Sequence, residues 1–123
     1  MPSAPLISIV DDDDSLRNAL ENLMRSAGLR AQGFSSAEAF LRSEQLQETG
    51  CLILDVRMPG MSGLELQRQM AVGNSHIPII FITAYEADDW RTQALEAGAV
   101  AFLYKPFHEG ELLNAIDAAL KDS

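Results

Sequence analysis

Cysteine is almost absent from this chain, and long apolar runs are absent altogether. Cys51 is the single cysteine, so an internal disulfide cannot form, and its apolar neighbours favour a buried core residue over a reactive thiol. No segment approaches the roughly 18 apolar residues of a membrane helix. Residues 1–5 lack the basic region and long apolar stretch of a signal peptide. We therefore expect a cytoplasmic protein that does not associate with a membrane.

Basic residues are also scarce. Nine Lys and Arg face 18 Asp and Glu, which gives a formal net charge of −9. This balance argues against direct nucleic-acid binding and against attraction to anionic membranes, while it leaves room for a partner with a basic patch. With 47% hydrophobic residues over 123 positions, the chain suits one domain, whose ordered core we place at about residues 5–120.

Strand and helix signals alternate along the whole chain. Apolar runs rich in branched residues predict strands at residues 6–10, 29–34, 51–54, 77–83 and 100–104. Helical periodicity and capping residues predict helices at residues 15–27, 36–43, 63–70, 88–98 and 109–120. Five strand–helix units with nearly continuous apolar strands predict an α/β fold, in which helices cover both faces of a parallel sheet.

The ends of these elements are predicted from turn and capping residues. Asp14 or Ser15 is expected to cap the first helix, and Ser62 the third. Ser35, with Glu38 three residues on, matches the capping-box pattern for the second helix. Gly50 is expected to break the chain before the third strand.

Charged and hydroxyl side chains follow or end four of the predicted strands. They are Asp11 and Asp12, Asp55, Thr83 and Lys105. The carboxyl ends of parallel strands share one edge of a sheet, where ligands bind in such folds, so these side chains should meet. A carboxylate cluster needs a neutralising cation, and Mg²⁺ suits an all-oxygen site with one or two protein carboxylates. The sequence therefore predicts a magnesium site beside a lysine, a natural place for a phosphoryl group.

Together these segments resemble the receiver domain of two-component response regulators. The resemblance covers about residues 5–120. It is carried by Ile9-Val10-Asp11-Asp12, Leu54-Asp55-Val56-Arg57-Met58-Pro59-Gly60-Met61-Ser62-Gly63, Ile80-Phe81-Ile82-Thr83-Ala84 and Gly98-Ala99-Val100-Ala101-Phe102-Leu103-Tyr104-Lys105-Pro106-Phe107. It implies a three-layer α-β-α sandwich whose five-stranded parallel sheet has the flavodoxin-like order 2-1-3-4-5. Family members usually have a cis bond at the position of Lys105-Pro106.

The resemblance also implies the chemistry of the site. Asp55 would accept a phosphoryl group from a sensor histidine kinase. Asp12 and Asp55 would ligate Mg²⁺ together with the backbone carbonyl of Arg57, and Asp11 would act through metal-bound water. Lys105 would pair with a phosphoryl oxygen and balance the acids.

Further positions are implied to act in signalling. Thr83 would donate its hydroxyl to the phosphoryl group. Phe102 matches the switch aromatic of the family, although simple core packing explains it equally well, and Tyr104 lies off the family's spacing. Arg57 and Tyr85 occupy two positions whose residue varies within the family and influences hydrolysis of the acyl phosphate. The responding face would comprise residues 88–120.

The resemblance leaves the output of the chain open. FixJ-type receivers, which share several of these segments, precede a helix-turn-helix DNA-binding domain, so the chain is either the N-terminal part of a longer transcription regulator or a single-domain switch. A homodimer would form on phosphorylation.

Other functions fit less well. A phosphatase of the haloacid-dehalogenase type would want a second acid where Arg57 stands. A flavin-binding module would need a phosphate-cradling loop in place of the acids at residues 11–14. An EF-hand would need Gly in place of Leu16 and Glu in place of Asn22. We therefore expect no enzymatic activity beyond self-catalysed phosphoryl transfer and hydrolysis.

Overall fold

The strands and helices alternate as the sequence predicts. The computed structural model describes residues 5–84 and 88–121. Its strands are β1 (Leu6–Val10), β2 (Arg30–Phe34), β3 (Thr49–Asp55), β4 (Ile79–Thr83) and β5 (Ala101–Tyr104). Its helices are α1 (Asp14–Ser26), α2 (Ala37–Arg42), α3 (Gly63–Val72), α4 (Asp88–Glu96) and α5 (Glu109–Lys121), and a 3-10 helix spans Glu44–Glu48.

The five described strands form one parallel sheet in the order β2-β1-β3-β4-β5. This order confirms the predicted flavodoxin-like topology. In the register between β3 and β4, Asp55 lies opposite Ile82, next to Thr83. In the register between β4 and β5, Thr83 lies opposite Tyr104, just before Lys105. The order and register therefore place the ends of β1, β3, β4 and β5 side by side.

Successive strand residues point to opposite faces of the sheet, and each face carries its own apolar cluster. One cluster packs α2, α3 and α4 against the sheet through residues such as Phe40, Leu66 and Ala94. The other packs α1 and α5 through residues such as Met24 and Ile116. This division confirms the three-layer α-β-α sandwich.

Cys51 belongs to the second cluster, and its side chain is fully buried. Burial disfavours the thiolate and raises the pKa of Cys51 to about 12. The thiol is therefore an apolar core group, as predicted. Among the described residues, no helix has both the length and the apolar character needed to cross a membrane.

The predicted start of α1 is wrong by a residue. Asp13, and not Asp14 or Ser15, caps α1, because its Oδ1 accepts from the Leu16 N–H at 3.1 Å. Asp14 then pairs with Arg17 in the first turns of the helix. The predicted cap of α3 is confirmed, since Ser62 accepts from the Glu65 N–H at 3.2 Å.

The capping box predicted for α2 is also wrong. Ser36, and not Ser35, is the cap, and its Oγ accepts from the Ala39 N–H at 3.0 Å. Glu38 lies within the first turn of the helix, but its Oε2 accepts from the N–H of Met61 at 3.2 Å, outside its own helix. A partner 23 residues away therefore replaces the local one.

The prediction that Gly50 breaks the chain before β3 is wrong, because β3 begins at Thr49 and runs through Gly50. Thr49 Oγ1 lies 2.7 Å from Ser8 Oγ of β1 and donates to the Gln45 carbonyl at 2.7 Å. These two contacts hold the start of the strand against both β1 and the 3-10 helix. The sequence did not predict this 3-10 helix.

Candidate functional site

The functional candidates meet at the carboxyl edge of the sheet. Asp11 directly follows β1, Asp55 is the last residue of β3, Thr83 is the last residue of β4, and Lys105 directly follows β5. The cleft that Asp11, Asp55 and Lys105 border is lined by Asp11, Asp12, Asp13, Asp55, Arg57, Met58, Pro59, Ser62, Ala84 and Lys105, and Thr83 is buried beside it without lining it. Side chains separated by up to 94 residues in the chain therefore form one site, as predicted.

Three carboxylates form the centre of the cleft. One oxygen from each of Asp11, Asp12 and Asp55 lies within 4.8 Å of the other two. Asp11 is fully buried, Asp55 is 6% exposed, and Asp12 faces solvent. Oxygens at these separations can share a single cation, and a hard divalent ion prefers such a donor set.

Lys105 supplies a positive charge at the rim of the cluster. Its Nζ lies 3.2 Å from Asp11 Oδ2 and 3.5 Å from Asp55 Oδ2, and its side chain keeps 20% of its surface exposed. One ammonium cannot balance three neighbouring carboxylates. The site is therefore electrostatically suited to additional positive charge.

The pKa of Asp55 shows this imbalance. It rises from 3.8 to about 6, chiefly because the carboxyl is buried and secondly because Asp11 repels its charge. Lys105 and the Arg57 N–H oppose that increase, and Asp12 adds to it. A divalent cation would relieve both the repulsion and the desolvation, so the residues present fit a metal such as Mg²⁺.

Backbone contacts hold the acidic side chains in this arrangement. Asp11 Oδ1 accepts from the Asp13 N–H at 2.9 Å, and Asp55 Oδ1 accepts from the Arg57 N–H at 3.3 Å. The guanidinium of Arg17 donates to the Asp11 carbonyl at 2.8 Å. The loops after β1 and β3 are thus tied to the two carboxylates that they follow.

The comparisons with known proteins agree with this geometry. Residues 7–117 match the family described as the response regulator receiver domain. The chain belongs to this family.

Two relatives of the chain are named as regulatory proteins. The response regulator protein TodT of Pseudomonas putida is 52% identical over 118 residues, which cover 96% of this receiver domain and 52% of TodT. The transcriptional regulatory protein FixJ of Azorhizobium caulinodans is 37% identical over 120 residues, covering 98% and 57%. The chain thus spans about half the length of these relatives.

Solved structures show the same fold. The response regulator StyR superposes with a TM-score of 0.90 at 47% identity, covering 97% of this receiver domain and 60% of that chain. The structure of FixJ-N superposes with a TM-score of 0.87 at 34% identity, covering 98% and 96%.

The candidate signalling residues of the receiver domain lie on β4 and on the edge strand β5. Thr83 is fully buried, and its carbonyl accepts from the Lys105 N–H at 2.7 Å. Phe102 is 8% exposed, and its ring centroid lies 5.9 Å from that of Phe81 and 5.5 Å from that of Tyr104. This structure therefore shows the packed arrangement of Phe102, and its function as a switch stays a prediction.

The remaining predicted positions are placed as follows. Arg57 is exposed at the edge of the cleft. The Lys105-Pro106 bond is cis. Tyr85, the second predicted modulator of hydrolysis, lies outside the described residues.

The sequence did not single out Gly63, the first residue of α3. A Cβ there would lie only 2.3 Å from the backbone oxygen of Asp55, and the Gly63 N–H donates to the Val56 carbonyl at 2.9 Å. Only glycine lets the start of α3 pack this closely on the end of β3. The glycine directly after a capping serine, eight residues beyond the strand-end acid, was the signal in the sequence.

Proposed function

We propose that this receiver domain is a phosphorylation switch in which Asp55 accepts a phosphoryl group from a sensor histidine kinase in a Mg²⁺-dependent reaction. The observation that supports the proposal is the convergence of Asp11, Asp12 and Asp55 beside the Lys105 ammonium. Asp12 and Asp55 would hold the ion directly with the Arg57 carbonyl, and Asp11 would hold it through water. The bound ion supplies charge neutralisation for the phosphoryl oxygens and the acids.

The residues of the chain then perform the transfer. A carboxylate oxygen of Asp55 forms a bond to phosphorus while the phosphorus–nitrogen bond to the donor histidine breaks, and the electron pair leaves on the imidazole nitrogen. Lys105, whose Nζ lies 3.5 Å from Asp55 Oδ2, would donate to a phosphoryl oxygen. Thr83, at the end of the adjacent strand, would donate its hydroxyl to another.

The same site favours a switch over a turnover enzyme. A phosphatase that uses a strand-end aspartate needs a proton-transfer group near the leaving oxygen, and Arg57 occupies the position two residues after Asp55. We therefore propose that the chain catalyses only its own phosphorylation and the hydrolysis of its acyl phosphate.

The relatives support a proposal for the output. TodT and FixJ are regulators about twice the length of this chain, so we propose a cytoplasmic regulator in which the face formed by α4, β5 and α5 controls a C-terminal helix-turn-helix domain and homodimerises on phosphorylation. This domain itself, with its net charge of −9, would not bind nucleic acid. A single-domain switch is the alternative.

Labelling with acetyl phosphate tests the proposal. With Mg²⁺, intact-mass spectrometry should show one added phosphoryl group per chain, and EDTA should prevent the addition. The same protein should show no turnover of small phosphate esters. Labelling that is unaffected by EDTA would contradict the proposed metal dependence, and steady ester turnover would favour the phosphatase.

A further inference from the structure

Glu38 is a charged side chain that the proposed reaction does not use. It lies in α2, on the same face of the sheet as α3, and its carboxylate leaves the helix to reach the loop after β3. Its Oε2 accepts from the N–H of Met61 at 3.2 Å. Among the described residues, its Oε1 is buried and has no hydrogen-bond partner. Such an arrangement costs free energy, so it calls for an explanation.

The loop that Glu38 contacts forms one wall of the acidic cleft. Arg57, Met58, Pro59 and Ser62 from this loop all line the cleft. At its base the loop is closed by the hydrogen bond from the Gly63 N–H to the Val56 carbonyl. Glu38 binds near its tip, so the base and the tip are held by separate contacts.

Gly60 makes room for this carboxylate. It adopts a φ of +77°, which favours glycine. A Cβ at this position would lie 2.6 Å from Glu38 Oε2, so the end of the Glu38 side chain would have to shift. The backbone conformation therefore favours glycine in this turn, and the carboxylate packs directly against it.

We propose that Glu38 is a positioning residue that, through the Met61 N–H, holds the loop after β3 so that Arg57 stays in place for cation binding at Asp55. The inference rests on the proposed function, because it assigns Glu38 to the same site. Arg57 donates its N–H to Asp55 Oδ1 at 3.3 Å, and its carbonyl is a proposed ligand. Arg57 lies between the closed base of the loop and Met61, so a loop released at Met61 is expected to hold the Arg57 carbonyl less firmly, while the acids of the β1 loop would stay in place.

Two substitutions separate the effect of the length of the Glu38 side chain from the effect of its charge. Glu38→Gln keeps an acceptor oxygen at the same length and loses the charge. Glu38→Asp keeps the charge but is one methylene shorter and cannot reach the Met61 N–H. We expect Glu38→Asp to weaken Mg²⁺ binding by about 10-fold, the lower end of the loss seen when a group that contacts a ligand directly is removed, because Glu38 acts through Met61. Glu38→Gln should bind Mg²⁺ as the native protein does. Glu44→Ala, which removes an exposed carboxylate from the 3-10 helix, is the matched control.

Titration calorimetry with Mg²⁺ measures these affinities, and urea denaturation in EDTA measures the stability of each variant. Weakened binding in Glu38→Asp, with native-like binding in Glu38→Gln and Glu44→Ala, supports the proposal. Equal affinity in all four proteins overturns it, even if Glu38→Asp is less stable, because the contact would then only support the fold. Weaker binding in Glu38→Gln than in Glu38→Asp also overturns it, since charge would then dominate. Absence of Mg²⁺ binding by the native protein overturns both this inference and the proposed function.

Discussion

Asp55→Asn is expected to abolish labelling by acetyl phosphate while the fold stays intact. The amide lacks the carboxylate oxygen that forms the bond to phosphorus, and Asp55 is the proposed acceptor, at the end of β3 with its Oδ2 3.5 Å from Lys105 Nζ. Asparagine has nearly the same size, so the buried end of the strand keeps its packing. We expect the label to fall below detection, a loss of at least about 100-fold, because removal of a nucleophile leaves no parallel route.

Intact-mass spectrometry after incubation with acetyl phosphate and Mg²⁺ measures this loss. Asp117→Asn is the matched control, because it makes the same chemical change in a surface ion pair with Lys121 and Asp117 does not line the cleft. The control should be labelled like the native protein. A label of native intensity in Asp55→Asn would show that another group accepts the phosphoryl, and the assignment of Asp55 would be wrong.

The same substitution is expected to stabilise the metal-free protein at neutral pH. The pKa of Asp55 is raised in the fold to about 6 from 3.8, so the folded state binds a proton more tightly than the unfolded state. The stability due to this group is present below about pH 4 and is lost as the pH rises through 6. Above pH 7, Asp55→Asn should raise the free energy of unfolding by about 1–2 kcal/mol after allowance for solvent screening. Urea denaturation in EDTA at pH 4 to 8 should show a difference that grows with pH.

Gly63→Ala is expected to destabilise the protein by about 2–3 kcal/mol, because overpacking at a rigid contact forces the backbone apart. The added Cβ would lie 2.3 Å from the Asp55 backbone oxygen, and neither α3 nor β3 can move without disturbing the core. Alanine would favour a helix by up to about 1 kcal/mol elsewhere, so the clash must exceed that gain. The displaced Asp55 should also be labelled more slowly.

Gly110→Ala in the first turn of α5 is the control for this substitution, since a Cβ there has open space around it. It should leave stability unchanged or raise it slightly. Chemical denaturation of the three proteins under one set of conditions measures the difference. If Gly63→Ala were as stable as Gly110→Ala, the close approach of α3 to β3 would have no energetic importance.

The fold and the centre of the site could be predicted because their signals are local. The apolar run of β1 and the periodicity of α1 need no distant partner to be recognised. The rule that parallel strands end at one edge then brings Asp11 next to Lys105, although 94 residues separate them. The residue types and their positions at the ends of the strands were sufficient to predict this part of the site.

Two of the errors arose where a distant partner decided the local structure. Glu38 was expected to accept a hydrogen bond at the start of its own helix, but it accepts from the Met61 N–H in the loop after β3. Gly50 was taken as a break, but the hydroxyls of Thr49 and Ser8 pair across the strands and start β3 earlier. Such choices depend on the packed fold, which the local pattern does not contain.

The claim that three acids and a lysine form one cation site is tested most directly by titrating the metal-free protein with Mg²⁺ in a calorimeter. We expect one ion per chain, and binding weaker by at least about 10-fold in Asp12→Asn, whose side chain is exposed and can change without altering the core. A native protein that binds no Mg²⁺, or an Asp12→Asn variant that binds it as tightly, would contradict the site.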